Sequence, residues 1–192
     1  MNSHPQQQDK ASLTQQFDRQ LDWIKSCDTK SSIVLAVVGI FLTVFTAEHS
    51  INMLNDIVSK SIHNINFSNV LYLLGFSFFL CLFVYGAYCL IRVLTPRLSK
   101  DTLSFEGTER DSLYFFESIA KNTFNDYKDK VLNRSNNEQS IDLLSQTYIN
   151  AKICTIKYAY YSKGIKFTFI GITGILVLYI IGIVLIKMGG FN

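Results

Sequence analysis

Three stretches of this chain contain no Asp, Glu, Lys or Arg: Ser31 to Ala47 (17 residues), Ser61 to Ile91 (31) and Phe167 to Ile186 (20). A hydrocarbon core about 30 Å thick takes roughly 20 apolar residues as α-helix, because each residue advances about 1.5 Å. Within the runs lie SIVLAVVGIFLTVFTA, VLYLLGFSFFLCLFVYGAYCLI and FTFIGITGILVLYIIGIVLI, the first the shortest. They predict an all-α membrane protein with three transmembrane helices. The hydrophobic content of 48% is concentrated in these runs, and the remainder is polar and charge-balanced. A cleaved signal peptide is the alternative for the first run. That run starts some thirty residues in, behind Asp9, Asp18, Asp22, Asp28, Lys10, Arg19, Lys25 and Lys30, and has no small-residue cleavage site, so an anchor is expected.

Lysine and arginine near the spans set the orientation, since flanks on the cytoplasmic side are enriched in them. Arg19, Lys25 and Lys30 precede the first span. Arg92, Arg97 and Lys100 follow the second, and Lys152, Lys157, Lys163 and Lys166 precede the third, whereas the first loop has only Lys60 and the tail only Lys187. The expected organisation is an amphipathic helix inside (residues 1–30), span one (31–48), a short outside loop (49–69) and span two (70–92). An inside helical segment (93–166), span three (167–187) and an outside tail (188–192) complete it. The inside parts should form a helical bundle from the N-terminal helix, the central segment and the extension of the last span.

Cysteine usage fits a reducing or lipid setting. Cys27 and Cys154 fall inside, Cys81 and Cys89 within span two, and no C-x-x-C occurs, so no disulfide framework is expected. His49 and His63 lie across the membrane from His4, which leaves no plausible metal ligand set.

Helical periodicity extends beyond the spans. Leu13, Phe17, Leu21 and Ile24 recur at 4, 4 and 3, placing them on one face of a helix from about Ser12, with Asp28 continuing that face. In span one Ser32, Ala36, Gly39, Thr43 and Ala47 form a stripe of small residues, suited either to a close helix contact or to lining water in an assembly. Pro96 stops the second span and Gly107 marks a bend. Ala120, Phe124, Tyr127 and Val131 predict a helix over about Ser118 to Leu132, and Asn133 to Ser140 read as a turn with a polar helix start. From Ile141, Leu144, Tyr148, Ala151, Thr155 and Tyr158 keep helical spacing, and only Gly164 stands between this helix and span three. Unbroken from Ile141 to Ile186, it would measure about 69 Å.

No nucleophile elbow, H-E-x-x-H, P-loop or G-x-G-x-x-G is present, so the chain is not expected to be an enzyme or to carry a cofactor. Nothing in it points to nucleic acid.

LDWIKSCDTKSSIVLAVVG, Leu21 to Gly39, resembles the N-terminal signature of the Pycsar transmembrane effectors, a W-I-x-x-x-D-T-K-[AS] step from amphipathic helix into membrane. Trp23, Asp28, Thr29 and Lys30 stand at its positions, with Cys27 and Ser31 where the family often has alanine. LYFFESIAKNTFNDYKDKV, Leu113 to Val131, resembles the family's Phe-rich segment with its tyrosine helix, here Tyr127. YINAKICTIKYAYYSKGIKF, Tyr148 to Phe167, resembles its Lys- and Tyr-bearing helix before the last span, here Lys152, Lys157 and Tyr158.

The resemblance implies a bacterial antiphage effector in the inner membrane, multi-pass, with its N-terminus cytoplasmic and the outside segments in the periplasm. Its ligand would be cyclic CMP or cyclic UMP made by a partner pyrimidine nucleotide cyclase, which need not bind it directly. Its action would be to impair the membrane, causing growth arrest or abortive infection, as a homo-oligomer in the bilayer. A membrane-anchored adaptor, or an effector of another cyclic oligonucleotide, are the other readings. A cyclic nucleotide asks for a cation at the phosphate, polar partners at the sugar and an aromatic face at the base. Arg110, Tyr114, Phe115, Phe116, Ser118 and Lys121 supply those types within a dozen residues, although Phe115 and Phe116 suit a bundle core better and Arg110 and Lys121 a solvated surface. Asp28, an acid near the bilayer edge, should be paired, with Lys157, Lys163 or Lys30 as partner. That pairing would either fix the join between first and last helices or act as a hinge.

Overall fold

The computed structural model describes residues 5–64, 66–95 and 111–189, with side chains from Lys10 onward. Pro96, Gly107 and Arg110 lie outside the described residues. The described chain is helical, with no strand: α1 (Pro5–Phe45), α2 (Glu48–His63), α3 (Phe67–Leu94), α4 (Phe116–Ala120), α5 (Phe124–Asn133) and α6 (Asn136–Met188). α1, α3 and α6 are each long and apolar enough to cross a membrane. The contacts divide the chain into two units, a head (residues 1–28 and 95–158) and a span unit (29–94 and 159–192).

In the head, two contacts fix how α1 meets α6. Lys10 Nζ donates to Gln139 Oε1 at 2.6 Å, and Lys157 Nζ donates to Asp28 Oδ1 at 2.6 Å. Both join residues 129 apart in sequence, so the two helices run parallel and in step over 18 residues, about 27 Å at the standard rise. Leu13, Phe17, Gln20, Ile24 and Cys27 face inward on α1, opposite buried Asp142, Gln146, Ile149 and Lys157 on α6. The alternating spacing of 4 and 3 keeps one seam against the partner helix.

Leu13, Phe17 and Ile24 take the expected face of α1, with Leu21 alone outside it, whereas the seam on α6 is displaced by about one residue from the expected one. Leu21 is 43% exposed on α1, and Leu144 and Tyr148 are 48% and 50% exposed on α6, while Leu143 is 1% exposed. Polar side chains that find partners take seam positions which apolar periodicity alone assigned to neighbours.

The polar helix start is a capping box. Ser135 N donates to Glu138 Oε2 at 2.8 Å, and Glu138 N donates to Ser135 Oγ at 3.3 Å, so two amides that lack helical partners are satisfied reciprocally. α6 therefore begins at Asn136, within the stretch expected to hold a polar helix start, and runs 53 residues without interruption. The helix expected over Ser118 to Leu132 is two: α4 ends at Ala120, and Thr123 caps α5 by accepting from Asp126 N at 3.2 Å.

In the span unit, Gly164 does not interrupt α6. A Cβ there would lie 2.7 Å from Leu90 Cγ, and one at Gly171 would lie 2.6 Å from the Phe83 nitrogen. The glycines let α3 and α6 approach closely, the packing device available in lipid, where no hydrophobic force drives helices together. Val38, Phe83 and Ile175 form the buried centre, with the Phe41 and Phe83 rings edge-on at 5.5 Å. Ile40, Leu74 and Ile180 are 66%, 62% and 59% exposed, a disposition that lipid tolerates and water does not.

Residues 48–63, expected as part of a short loop, form a 16-residue helix. α2 buries Ile57 against Tyr72, Leu178 and Ile183, while Tyr72 Oη donates to Leu178 O at 2.8 Å. Its apolar residues alternate with Asn, Asp, Ser and Lys at helical spacing, which breaks the hydropathy while preserving one packing face.

The small stripe of span one is exposed along its whole length, and a Cβ at Gly39 would meet nothing within 4 Å. The face that packs within the chain is instead Ser31, Val38, Phe41 and Phe45.

Candidate functional site

The head carries the chemically distinctive groups. Asp28 and Lys157 form an ion pair at 2.6 Å in which the lysine side chain is 7% exposed and the carboxylate 36%. A lysine so withdrawn from water is tolerable because the carboxylate meets it. Cys154 stands one turn before Lys157. Burial pushes its thiol pKa up, with Lys157 pulling the other way, which favours the protonated form.

A second buried pair ties the segment before α4 to α6. Asp142, fully buried, accepts at Oδ2 from Arg134 Nη1 at 2.6 Å and from Leu113 N at 2.9 Å. Its Oδ1 has no hydrogen-bond partner among the described residues. Beside this pair a cleft of about 340 Å³ is lined by Asp111, Leu113, Lys130, Asn133, Arg134 and Glu138. Lys130 Nζ reaches Asp111 Oδ2 at 3.3 Å and Asn122 Oδ1 at 2.8 Å. The cleft holds two acids and two bases and so has no net attraction for an anion.

A larger groove of about 500 Å³ lies between α1 and α6, lined by Gln20, Trp23, Ala151, Cys154, Thr155 and Tyr158. Trp23 is 48% exposed. Ala151 and Cys154 contribute small side chains to the same lining as the indole and the phenol ring. Lys152, the sequence neighbour of Ala151, holds Nζ 5.3 Å from the centroid of Tyr148.

Of the residues singled out in the sequence, Asp28 meets Lys157 and Trp23 shares a groove with Tyr158. Thr29 and Lys30 are exposed and Tyr127 is half-buried. Tyr114 packs on Phe17 with centroids 5.9 Å apart, and Phe115 lies 4.9 Å from Phe116. Ser118 is buried, its carbonyl accepting from Asn122 Nδ2 at 2.8 Å, and Lys121 is exposed. None of Tyr114, Phe115, Phe116, Ser118 and Lys121 lines either cavity. Gln20, Cys154, Arg134 and Asp142 were not anticipated. Gln20 had one available signal, its place three residues before Trp23 on the same side of a helix. Among the described residues no group of His, Cys, Asp and Glu could hold a metal ion.

Three apolar helices together with a helical head that has paired internal charges define a multi-span membrane protein whose polar part is large enough to receive a small molecule. The chain belongs to the Pycsar effector family: residues 12–186 match PycTM, the Pycsar effector protein domain. It is similar to the Pycsar effector protein GmPycTM of Gulbenkiania mobilis, with 28% identity over 165 residues that cover 82% of this chain and 84% of that protein. No solved structure matches it.

Proposed function

We propose that this protein is the membrane effector of a bacterial Pycsar antiphage system. It binds cyclic CMP or cyclic UMP through its head and impairs the inner membrane, so that growth stops before phage matures. The observation that carries this is the family match over residues 12–186, which takes in the head and all three spans together. The distribution of Lys and Arg supports a cytoplasmic head and N-terminus, the side on which a cyclase releases its product. The action is non-enzymatic. The ligand works by favouring one arrangement of the helices over another, and can do so only by its difference in affinity between them.

Parallel pairing of α1 and α6 supports a mechanical route, because both helices run on from the head as spans one and three without a break. The exposed stripe of Ser32, Ala36, Gly39, Thr43 and Ala47 supports homo-oligomer formation, since small residues on a span let a second copy approach closely.

Full-length protein in liposomes of bacterial lipid, loaded with a self-quenching dye, tests the reading. Micromolar cyclic CMP or cyclic UMP should release dye, and the purine cyclic nucleotides should not. Unchanged leakage with both pyrimidine nucleotides refutes it. Release by a cyclic oligonucleotide alone would redirect the ligand.

A further inference from the structure

We propose that the groove between α1 and α6 is the nucleotide site, seating a pyrimidine base between Trp23 and Tyr158 with the phosphate toward Arg19 and Lys152. This rests on the cyclic-pyrimidine reading above and deepens it. Its starting point is an anomaly of burial. Tyr148, Ala151, Thr155 and Tyr158 keep the spacing of a helix seam, yet the seam lies one residue aside, through Gln146, Ile149, Cys154 and Lys157. Tyr148 is thereby left 50% exposed and Tyr158 partly exposed, and on the neighbouring helix the chain's single tryptophan, 48% exposed, lines the same groove as Tyr158.

The groove supplies each part of the ligand with its chemical complement. Indole and phenol offer π-faces, and stacking a base on an aromatic ring is worth about 1–3 kcal/mol. The Gln20 amide carries both donors and an acceptor, as the hydrogen-bonding edge of a pyrimidine requires. Ala151 and Cys154 add small side chains to the lining. In the common register of the two helices, Trp23 is level with Lys152 and Arg19 with Tyr148. Tyr158 stands six residues further along α6, about 9 Å at the standard rise. By this register Arg19 and Lys152, both exposed and neither of them lining the groove, stand toward its Trp23 end. Asp18 and Asp22 fall on another side of α1, so no carboxylate lines the groove. The volume of about 500 Å³ lies within the range of small-molecule sites.

Position adds a reason for this groove over the cleft at Arg134. Its α6 wall ends at Tyr158, next to Lys157, so an occupant bridges the two paired helices within a turn of their ion pair.

Because Trp23 is the only tryptophan, intrinsic fluorescence of the unmodified full-length protein in detergent reports on this groove directly. Titration with cyclic CMP and cyclic UMP should quench it, after correction for nucleotide absorbance, with a midpoint equal to the Kd from equilibrium dialysis. Tyr158→Ala and Lys152→Ala should each raise that Kd at least tenfold, while Lys128→Ala on exposed α5 leaves it within twofold. Binding by dialysis without quenching overturns the site and leaves the sensing function standing. A Kd raised by Tyr114→Ala or Lys121→Ala but not by Tyr158→Ala places the ligand on the segment before α5 and likewise overturns it. Absence of binding by either nucleotide overturns both readings.

Discussion

Lys157 Nζ meets Asp28 Oδ1 at 2.6 Å across the same 129-residue offset at which Lys10 meets Gln139, so the ion pair closes a seam that is already in register. Its two members are unequally placed. The lysine side chain is almost wholly withdrawn from water, whereas about a third of the carboxylate remains accessible. An orphaned charge is penalised in proportion to how little water can reach it.

The two single substitutions should therefore differ. Asp28→Ala leaves a buried ammonium and should destabilise the head by about 2 kcal/mol, between the values for exposed and buried pairs. Lys157→Met replaces the charge by an apolar chain of similar length and leaves a carboxylate that water can reach, so its loss should be less than half as large. The double variant should lie closer to wild type than Asp28→Ala does. Thermal unfolding in detergent, arranged as a double-mutant cycle, measures all three. Equal single effects would show that the pair behaves as an exposed bridge.

A second consequence concerns signalling. If the pair is the element through which occupancy is read, an Asp28→Ala protein that still inserts and binds nucleotide should lose ligand-dependent dye release. Release unchanged from wild type would reduce the pair to a structural fastener.

The glycines of the spans separate internal packing from assembly. Gly171→Ala drives a methyl group into the Phe83 backbone, which cannot rotate away, and should destabilise by about 1–3 kcal/mol. Gly39→Ala meets open space and should raise stability by up to about 1 kcal/mol through helix propensity. Replacing Gly39 by the bulkier Leu should leave the monomer folded and weaken dye release if the small stripe is where copies meet. Gel filtration and thermal unfolding in detergent check the first pair, and crosslinking in liposomes checks the third.

The spans were legible because lipid imposes a length and excludes charge, and both constraints survive in a bare sequence. The position of the head seam was not. Asp142, Gln146 and Lys157 are buried, and what permits it includes an arginine eight residues away, just past the end of α5, for the first and an aspartate 129 residues away on α1 for the last. Apolar spacing alone shifts the stripe to Leu144 and Tyr148, and that displaced stripe became informative once the structure left it exposed. α2 was hidden for a related reason, since its apolar residues are diluted by polar ones on the other side of the helix. The candidate ligand segment at Tyr114 to Lys121 had suitable residue types, but Tyr114 packs on Phe17 and Ser118 is buried.

Burial on α2 gives a direct check on its packing. Ile57 is fully buried against Tyr72, Leu178 and Ile183, while Ile62 on the same helix is 56% exposed. Ile57→Ala should destabilise by about 2–5 kcal/mol through lost contacts and a cavity, and Ile62→Ala by much less. Hydrogen exchange over residues 48–63 should be slow in the wild type and fast in Ile57→Ala. Rapid exchange in the wild type would mean that this stretch is a loop after all.

Acid should loosen the start of α6 in a predictable sense. Hydrogen bonds from the Ser135 amide and hydroxyl hold the Glu138 carboxyl below its ordinary pKa. A carboxyl with a depressed folded-state pKa contributes stability that is fully present above its unfolded value and lost as pH falls through the folded one. The stability difference between wild type and Glu138→Ala should therefore be constant from neutral pH down to the ordinary carboxylate range and shrink toward zero below it. Glu138→Gln, which keeps a reciprocal acceptor without a charge, should fall between the two at neutral pH and show no such decline. Unfolding midpoints for the three proteins across that range give the answer, and a difference that grows on acidification would rule out the ionised cap.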